Sequence, residues 1–137
     1  IFSTTGYAGG TGISGEGNDG AAGNTSTGGG GGGGKGSAAS AGTGGSGEAS
    51  SITGSSVTYA TGGTRAPGGT AGASNTGDGG DTRGASTNSG LAGGSGIVVI
   101  RYSDQYVAAA STTGSPTITQ SGGYRIYTFT GSGSITF

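Results

Sequence analysis

Glycine fills 39 of the 137 positions, and 34 of those glycines lie within residues 1–96. Glycine has no Cβ. It adds nothing to a side-chain core and loses more freedom on ordering than any other residue. The remaining composition does not make up the deficit. Gly, Ser and Thr together occupy 80 positions, whereas Leu, Ile, Val and Phe number 16. That is about 12%, where globular chains rarely fall below about 20%. Sixteen large apolar side chains contribute roughly 1.5–3 kcal/mol each when fully buried. Ordering the backbone costs about 1–2 kcal/mol per residue. An ordinary Leu/Val core is therefore excluded. The chain is either disordered or held by dense backbone hydrogen bonding and by other copies of itself. Disorder by composition usually comes with many charges. Only 8% of these residues are charged and two are Pro, so a packed glycine-rich structure is the expectation.

The glycine spacing says what kind of packing. Sorted by position modulo three, the 34 glycines of residues 1–96 fall 17, 11 and 6. Local runs repeat the step: Gly6, Gly9, Gly12 and Gly15; Gly17, Gly20 and Gly23; Gly84, Gly90, Gly93 and Gly96. Three residues make one turn of a polyproline-II helix, whose N–H and C=O groups point sideways with no internal partner. Segments running alongside one another would pair those groups, and glycine on the facing side would let the backbones approach. The step is broken too often for collagen. Short irregular strands, or a flexible Gly/Ser linker such as Gly28–Gly34 would make alone, are the competing readings.

After residue 96 the glycines thin out and four of the six tyrosines appear. Two regions follow: a glycine-rich part over 1–96 and a β-rich part over 97–137. Ile97-Val98-Val99-Ile100 reads as a strand covered on both faces. Thr117–Thr119 and Tyr124–Thr130 flank Ser121-Gly122-Gly123, a hairpin signal. Gly131-Ser132-Gly133 turns the chain into Ser134–Phe137. A smaller hairpin joins Ser51–Thr53 to Val57–Tyr59 through Gly54-Ser55. No helix pattern appears. The expected fold is glycine-rich and mostly non-helical: packed polyglycine/PPII-type helices or short irregular strands over 1–96, plus a small antiparallel β region over 97–137. The residues expected to hold it together are Gly93, Gly94, Gly96, Ile97, Val98, Val99, Ile100, Tyr102, Tyr124, Ile126 and Phe129.

Cys, His, Met and Trp are absent. Triad chemistry needs His or Cys, as do Cys/His zinc sites, haem and iron–sulfur clusters. No catalytic residue and no cofactor is expected. A net charge of −1 with scattered Lys and Arg argues against nucleic acid and anionic membranes, and no apolar run is long enough to span a bilayer. The lack of Met leads us to expect a processed product or part of a longer chain.

Glycine-rich chains generate false motifs. Gly42-x-Gly44-x-x-Gly47 follows no strand and opens no helix, so it lacks the context of a dinucleotide fingerprint. Gly29 to Lys35 has phosphate-loop spacing, but Gly36 stands where Ser or Thr must bind magnesium. Gly77-Asp78-Gly79-Gly80-Asp81 and Gly15-Glu16-Gly17-Asn18-Asp19 have calcium-turn character without tandem repeats. Asn24-Thr25-Ser26 fits a glycosylation triplet. Asp104 is read as a turn residue ending a strand rather than half of a glycosidase pair. Arg101 and Arg125 are read as exposed charges that blunt sheet edges. Tyr102, Tyr106, Tyr124 and Tyr127 are assigned to packing, with a sugar-binding aromatic surface as the alternative.

Leu91-Ala92-Gly93-Gly94-Ser95-Gly96-Ile97-Val98-Val99-Ile100-Arg101-Tyr102 resembles the closing segment of glycine-rich domains in tail fibres of tailed bacteriophages and related bacterial surface proteins. Ser51-Ile52-Thr53-Gly54-Ser55-Ser56-Val57-Thr58-Tyr59-Ala60 is similar to further segments of the same type. So is Gly114-Ser115-Pro116-Thr117-Ile118-Thr119-Gln120-Ser121-Gly122-Gly123-Tyr124-Arg125-Ile126-Tyr127-Thr128-Phe129. The resemblance covers residues 47–137 by motif and 1–46 by composition. It implies a fibre or adhesin tip, a homotrimer exposed on the virion and outside the cell. Its receptor would be a host surface glycan or an outer-membrane protein, met by loops of a packed glycine-helix sandwich. The family has no catalytic motif to carry over. The chain has no coiled-coil shaft or baseplate-attachment segment of a full fibre. The competing expectation is a self-assembling subunit of an extracellular filament or a virion decoration protein.

Overall fold

A computed structural model describes residues 6–23, 28–66, 68–82 and 89–137. Among these there is no helix, and seven short strands form three small sheets. The chain divides into two compact units. One comprises the described residues up to Glu48 together with Thr58–Ser95; the other comprises Ala49–Val57 and Gly96–Phe137. The expected division at residue 96 is thus modified, because the segment 49–57 groups with the C-terminal part.

The glycine-rich unit has little strand structure. Its backbone groups instead bond between neighbouring segments in several directions. The segment around Gly31 is representative. Gly31 N–H and Gly34 N–H donate to Ala41 and Ser37 carbonyls at 2.9 and 3.0 Å. Gly31 and Gly34 carbonyls accept from Ala21 and Asn18 N–H. Gly32 and Lys35 N–H donate to Gly63 and Ala60 carbonyls, both at 3.0 Å, and the Gly32 carbonyl accepts from Gly45. Residues three apart therefore bond to the same neighbour, and one segment serves four others. A β-strand has only two hydrogen-bonding sides.

Among the described residues of this unit, the buried ones are Gly31, Gly34, Gly45 and Gly62. Every one is a glycine, so the interior is backbone. A Cβ on Gly31 or Gly34 would land on the carbonyls of Thr43 or Ser46, and one on Gly62 would land on the carbonyl of Gly32. Gly30 and Gly33 meet Ala21 and Asn18 carbonyls in the same way. A three-residue spacing recurs in these contacts at Gly9 and Gly12 and at Gly30, Gly33 and Gly36, whereas Gly15, Gly17 and Gly90, in the runs that suggest the step, face open space. Gly94 belongs to this set, because a Cβ there would strike the Ala73 carbonyl. Gly93 is tight, at 3.3 Å from the Asp78 carbonyl, whereas Gly96 faces open space and is not close-packed.

The C-terminal unit is built from side chains. Strands β3 (Val98–Ser103), β5 (Thr117–Ser121) and β6 (Tyr124–Phe129) form an antiparallel sheet in the order β3-β6-β5. The β5–β6 turn is Gly122-Gly123, with φ of 57° and 79°, the two positive values that a type I′ hairpin requires. Strands β4 (Ser111–Thr113) and β7 (Ser134–Thr136) pair antiparallel as a second, two-stranded sheet. Strands β1 (Glu48–Ser50) and β2 (Val57–Tyr59) form the third. The β1–β2 strands sit three residues earlier than the sequence predicts on the first side, because Ile52 and Thr53 lie in the turn.

Register sorts the central strand's side chains onto two faces. Arg125, Tyr127 and Phe129 share one face with Val98, Ile100 and Tyr102. Near them lies the β7 region, since a Cβ on Gly133 would meet the Phe129 ring. Ile126 faces the other way, toward Gly54 of the β1–β2 connection. The core consists of Ile126, Tyr127 and Phe129, each 7% exposed or less. Ile97–Ile100 is not covered on both faces as expected. It enters an edge strand, and Val98 is 60% exposed, because a two-stranded cover is too small to reach it.

Two substitutions separate backbone packing from mere glycine content. Gly62→Ala is expected to lower stability by more than about 3 kcal/mol or to prevent folding, because neither neighbouring backbone can give. Gly96→Ala is expected to stay within about 0.5 kcal/mol of the parent. Urea denaturation followed by far-UV circular dichroism reads both.

Candidate functional site

The polar side chains of the glycine-rich unit carry its candidate chemistry. Its described aspartates are already engaged. The Asp81 carboxylate accepts N–H from Thr64 at 2.7 Å and from Thr70 at 3.0 Å. Asp78 accepts from Thr61 at 2.9 Å and Asp19 from Gly12 at 2.7 Å. Asp78 and Asp81, three apart, thus serve Thr61 and Thr64, three apart. Each carboxylate takes the place of a backbone carbonyl in the bonding pattern. Among the described residues, no three acidic side chains converge in the manner of a metal site. In both calcium-type turns the aspartates accept backbone N–H groups. In the segment with phosphate-loop spacing, the N–H groups of Gly31, Gly32, Gly34 and Lys35 all donate to carbonyls rather than facing a common anion site.

Hydrogen-bond register orders this unit's turns into two ends. Gly15, Lys35, Ala60, Thr76 and Ser95 lie at one end: Lys35 bonds to Gly15 and Ala60, Ala60 to Thr76, and the adjacent Gly77 to Ser95. Lys35 Nζ also sits 3.4 Å from Glu48. The opposite end carries Tyr7, 83% exposed, where its carbonyl accepts from Gly23. Arg65 approaches the same end, its guanidinium beside Gly28. The Asn24-Thr25-Ser26 triplet and Gly84 lie outside the described residues.

The C-terminal unit gathers the aromatic residues. Tyr102 stacks on Tyr127 with ring centroids 5.9 Å apart, and Phe137 meets Tyr102 edge-on at 5.5 Å. The Tyr102 hydroxyl donates to the Tyr127 hydroxyl at 3.2 Å and lies 3.3 Å from the Val107 carbonyl. Tyr127 also accepts the Ala109 N–H at 3.0 Å. Burial, then this hydrogen bond, push the Tyr102 hydroxyl pKa up; the same bond pulls that of Tyr127 down. Tyr102 and Tyr127 pack against each other, and Tyr127, read from the sequence as a packing residue, lies in the core. Tyr106, Val107 and Phe137 remain 69%, 89% and 70% exposed.

The two arginines of this unit behave differently. Arg101, on edge strand β3, lies 3.8 Å over the Tyr124 ring and donates to the Ser51 carbonyl at 3.1 Å. Arg125 lies on β6, the central strand. It cannot blunt an edge, which corrects the sequence-based role. Turned oxygen-first toward Arg125, the Gln120 carboxamide accepts from both terminal nitrogens, at 2.9 and 3.1 Å. Asp104 is a turn residue as read, its N–H donating to Gly123. An open apolar cleft of about 320 Å³ is lined by Val98, Ile100, Phe129 and residues 131–135.

The chain matches no protein-family model, no curated protein and no solved structure.

The Asp81 geometry has a pH signature. The N–H groups of Thr70 and Thr64 hold its carboxyl below the ordinary value, against burial that raises it. A depressed carboxyl stabilises the fold at pH values above its unfolded pKa of about 3.9. That contribution is lost as pH falls through the folded value. Protection factors of the Thr64 and Thr70 amides are expected to drop below about pH 4, and Asp81→Asn is expected to flatten that dependence. Amide exchange by NMR at several pH values checks it.

Proposed function

We propose that the chain is the glycine-rich recognition module of a bacteriophage tail fibre, a structural and receptor-binding domain without enzymatic activity. On this reading it is carried on the virion as a homotrimer and meets a glycan or outer-membrane protein of the host surface. The glycine-rich unit is then a bundle of polyglycine/PPII-type helices. Its three-residue bonding step, with bonds leaving in more than two directions, supports that form over irregular strands.

The observation that carries the reading is the glycine interior. Because the buried residues described in this unit are all glycine, its Ser, Thr, Asn and Tyr side chains sit outside the buried set. They form a hydrogen-bonding surface on a backbone scaffold, which is what a recognition module needs. With 8% charged residues, contact relies on hydrogen bonds and ring faces rather than on electrostatic steering. The resemblance of residues 91–102 and 114–129 to tail-fibre segments points the same way.

One observation favours the filament reading. All five residues of β5 are exposed, and this edge strand bears no charge. Edges of that kind pair with other chains unless blocked.

Light scattering over a range of concentrations separates the two. A fixed mass of about 37 kDa, three copies of the 12.5 kDa chain, is expected, together with competition against phage adsorption to host cells. Growth into long particles with concentration would favour the filament. A monomer that competes for no host cell would overturn both.

A further inference from the structure

The sheet register places Tyr102, Arg125 and Gln120 side by side across β3, β6 and β5, on one face. This row lies one step from the end of the sheet that carries the Gly122-Gly123 turn. Arg125 is anomalous there. It occupies the central strand, and its Nε is buried without an acceptor. Gln120 orients the guanidinium through two hydrogen bonds but is neutral, so the charge is not compensated. Among the described residues the ion pair is Lys35 with Glu48, and no carboxylate pairs with Arg125. The C-terminal unit contains Arg101 and Arg125 against one acid, Asp104. An uncompensated guanidinium held by a fixed amide is costly for stability alone. It is well suited to receiving an anion.

The surroundings define the rest of the ligand. With its oxygen toward Arg125, the Gln120 carboxamide turns its nitrogen away from it, adding a neutral donor beside the charged ones. Next to Arg125 stands the Tyr102 ring, edged by the exposed Phe137. Tyr102 also reaches the Val107 carbonyl, in a segment where Tyr106 and Val107 are largely exposed. The exposed Phe137 ring beside hydrogen-bond donors fits a pyranose, whose C–H face stacks on aromatics while its polar groups bond at the rim. A bare inorganic anion has no use for the aromatic part.

We infer that Arg125, positioned by Gln120 and bordered by Tyr102 and Phe137, binds the carboxylate of an acidic saccharide. The inference rests on the host-surface recognition reading and names the glycan class for one of its sites.

The test is an amide-detected NMR titration of the full chain with three probes: D-glucuronate, D-glucose and inorganic phosphate. Glucuronate is expected to shift the amides of Gln120, Arg125 and Val107. Glucose is expected to bind about tenfold more weakly or not at all, because it lacks the charge-assisted pair. Arg125→Gln is expected to weaken glucuronate binding by about tenfold or more while leaving the amides of the glycine-rich unit in place. Should that variant fail to fold, Arg125→Lys keeps the charge, loses the planar fork, and is expected to bind several-fold more weakly. Equal response to glucose and glucuronate, phosphate binding as tight as glucuronate, or undiminished binding by the Arg125 variants would each overturn the site. Competition for host cells, measured on the same protein, separates the two levels. Host competition without any glucuronate binding overturns this site and leaves the recognition reading standing. Glucuronate binding without host competition upholds the site and counts against that reading.

Discussion

Everything in the glycine-rich unit depends on one steric fact: carbonyl oxygens occupy the space where Cβ atoms would be. The would-be Cβ atoms of Gly30, Gly33, Gly44, Gly62 and Gly94 fall on carbonyl groups of neighbouring segments. That proximity lets N–H groups reach carbonyls in several directions at once, and the density of those bonds replaces the apolar core that the composition denies. Each bond contributes only about 1 kcal/mol net, so the unit needs many of them and tolerates few gaps. The aspartates fit the same logic. Where a segment leaves an N–H without a carbonyl, as at Thr61, Thr64 and Gly12, a carboxylate supplies the oxygen.

The C-terminal unit solves the opposite problem. It has apolar side chains but few of them, and its core is three residues on one strand. Because Ile126 points one way and Tyr127 and Phe129 the other, no single face collects enough burial by itself. The hydroxyl of Tyr127 adds a polar anchor, fixing Ala109 and Tyr102 around it. Val98 and Ile118 stay half-exposed or more on the flanking strands. A unit this thin leaves apolar surface uncovered in a single copy, which is consistent with the proposed association between copies.

How much of this was legible in the sequence follows from which rules are local. The three-residue glycine step could be read in part: Gly9, Gly12, Gly30, Gly33 and Gly36 meet neighbouring carbonyls at that spacing, whereas Gly15, Gly17 and Gly90, in the runs that suggest it, face open space. The Gly122-Gly123 turn could be read too, because positive φ at two successive residues leaves little choice but glycine. Strand β4 could not: Ser111-Thr112-Thr113 has no apolar alternation, and only its pairing with β7 makes it a strand. The edge position of Val98–Ile100 was equally hidden, since four β-branched residues look the same whether or not a second sheet covers them. Gly96 and Gly94 differ in packing although both continue the glycine pattern, because phase alone does not say which neighbour is present. Arg125 was misassigned for the same reason. Strand order, not strand content, decides whether a residue lies at an edge.

A backbone interior also changes where sequence is free to vary. In a side-chain core, surface and interior share the same residues: altering one disturbs the other through packing. Here the described interior positions of the glycine-rich unit admit one residue type, and the side chains around them carry little of the packing. Substitutions at Ser, Thr, Asn or Tyr positions outside the carboxylate and hydroxyl bridges would change the displayed chemistry without touching the contacts that hold the segments together. The C-terminal unit lacks this separation, because Tyr102 both packs the aromatic cluster and borders Arg125. On the proposed recognition reading, a scaffold that separates folding from display suits a surface whose specificity must change, and the cost is carried by glycine positions that cannot.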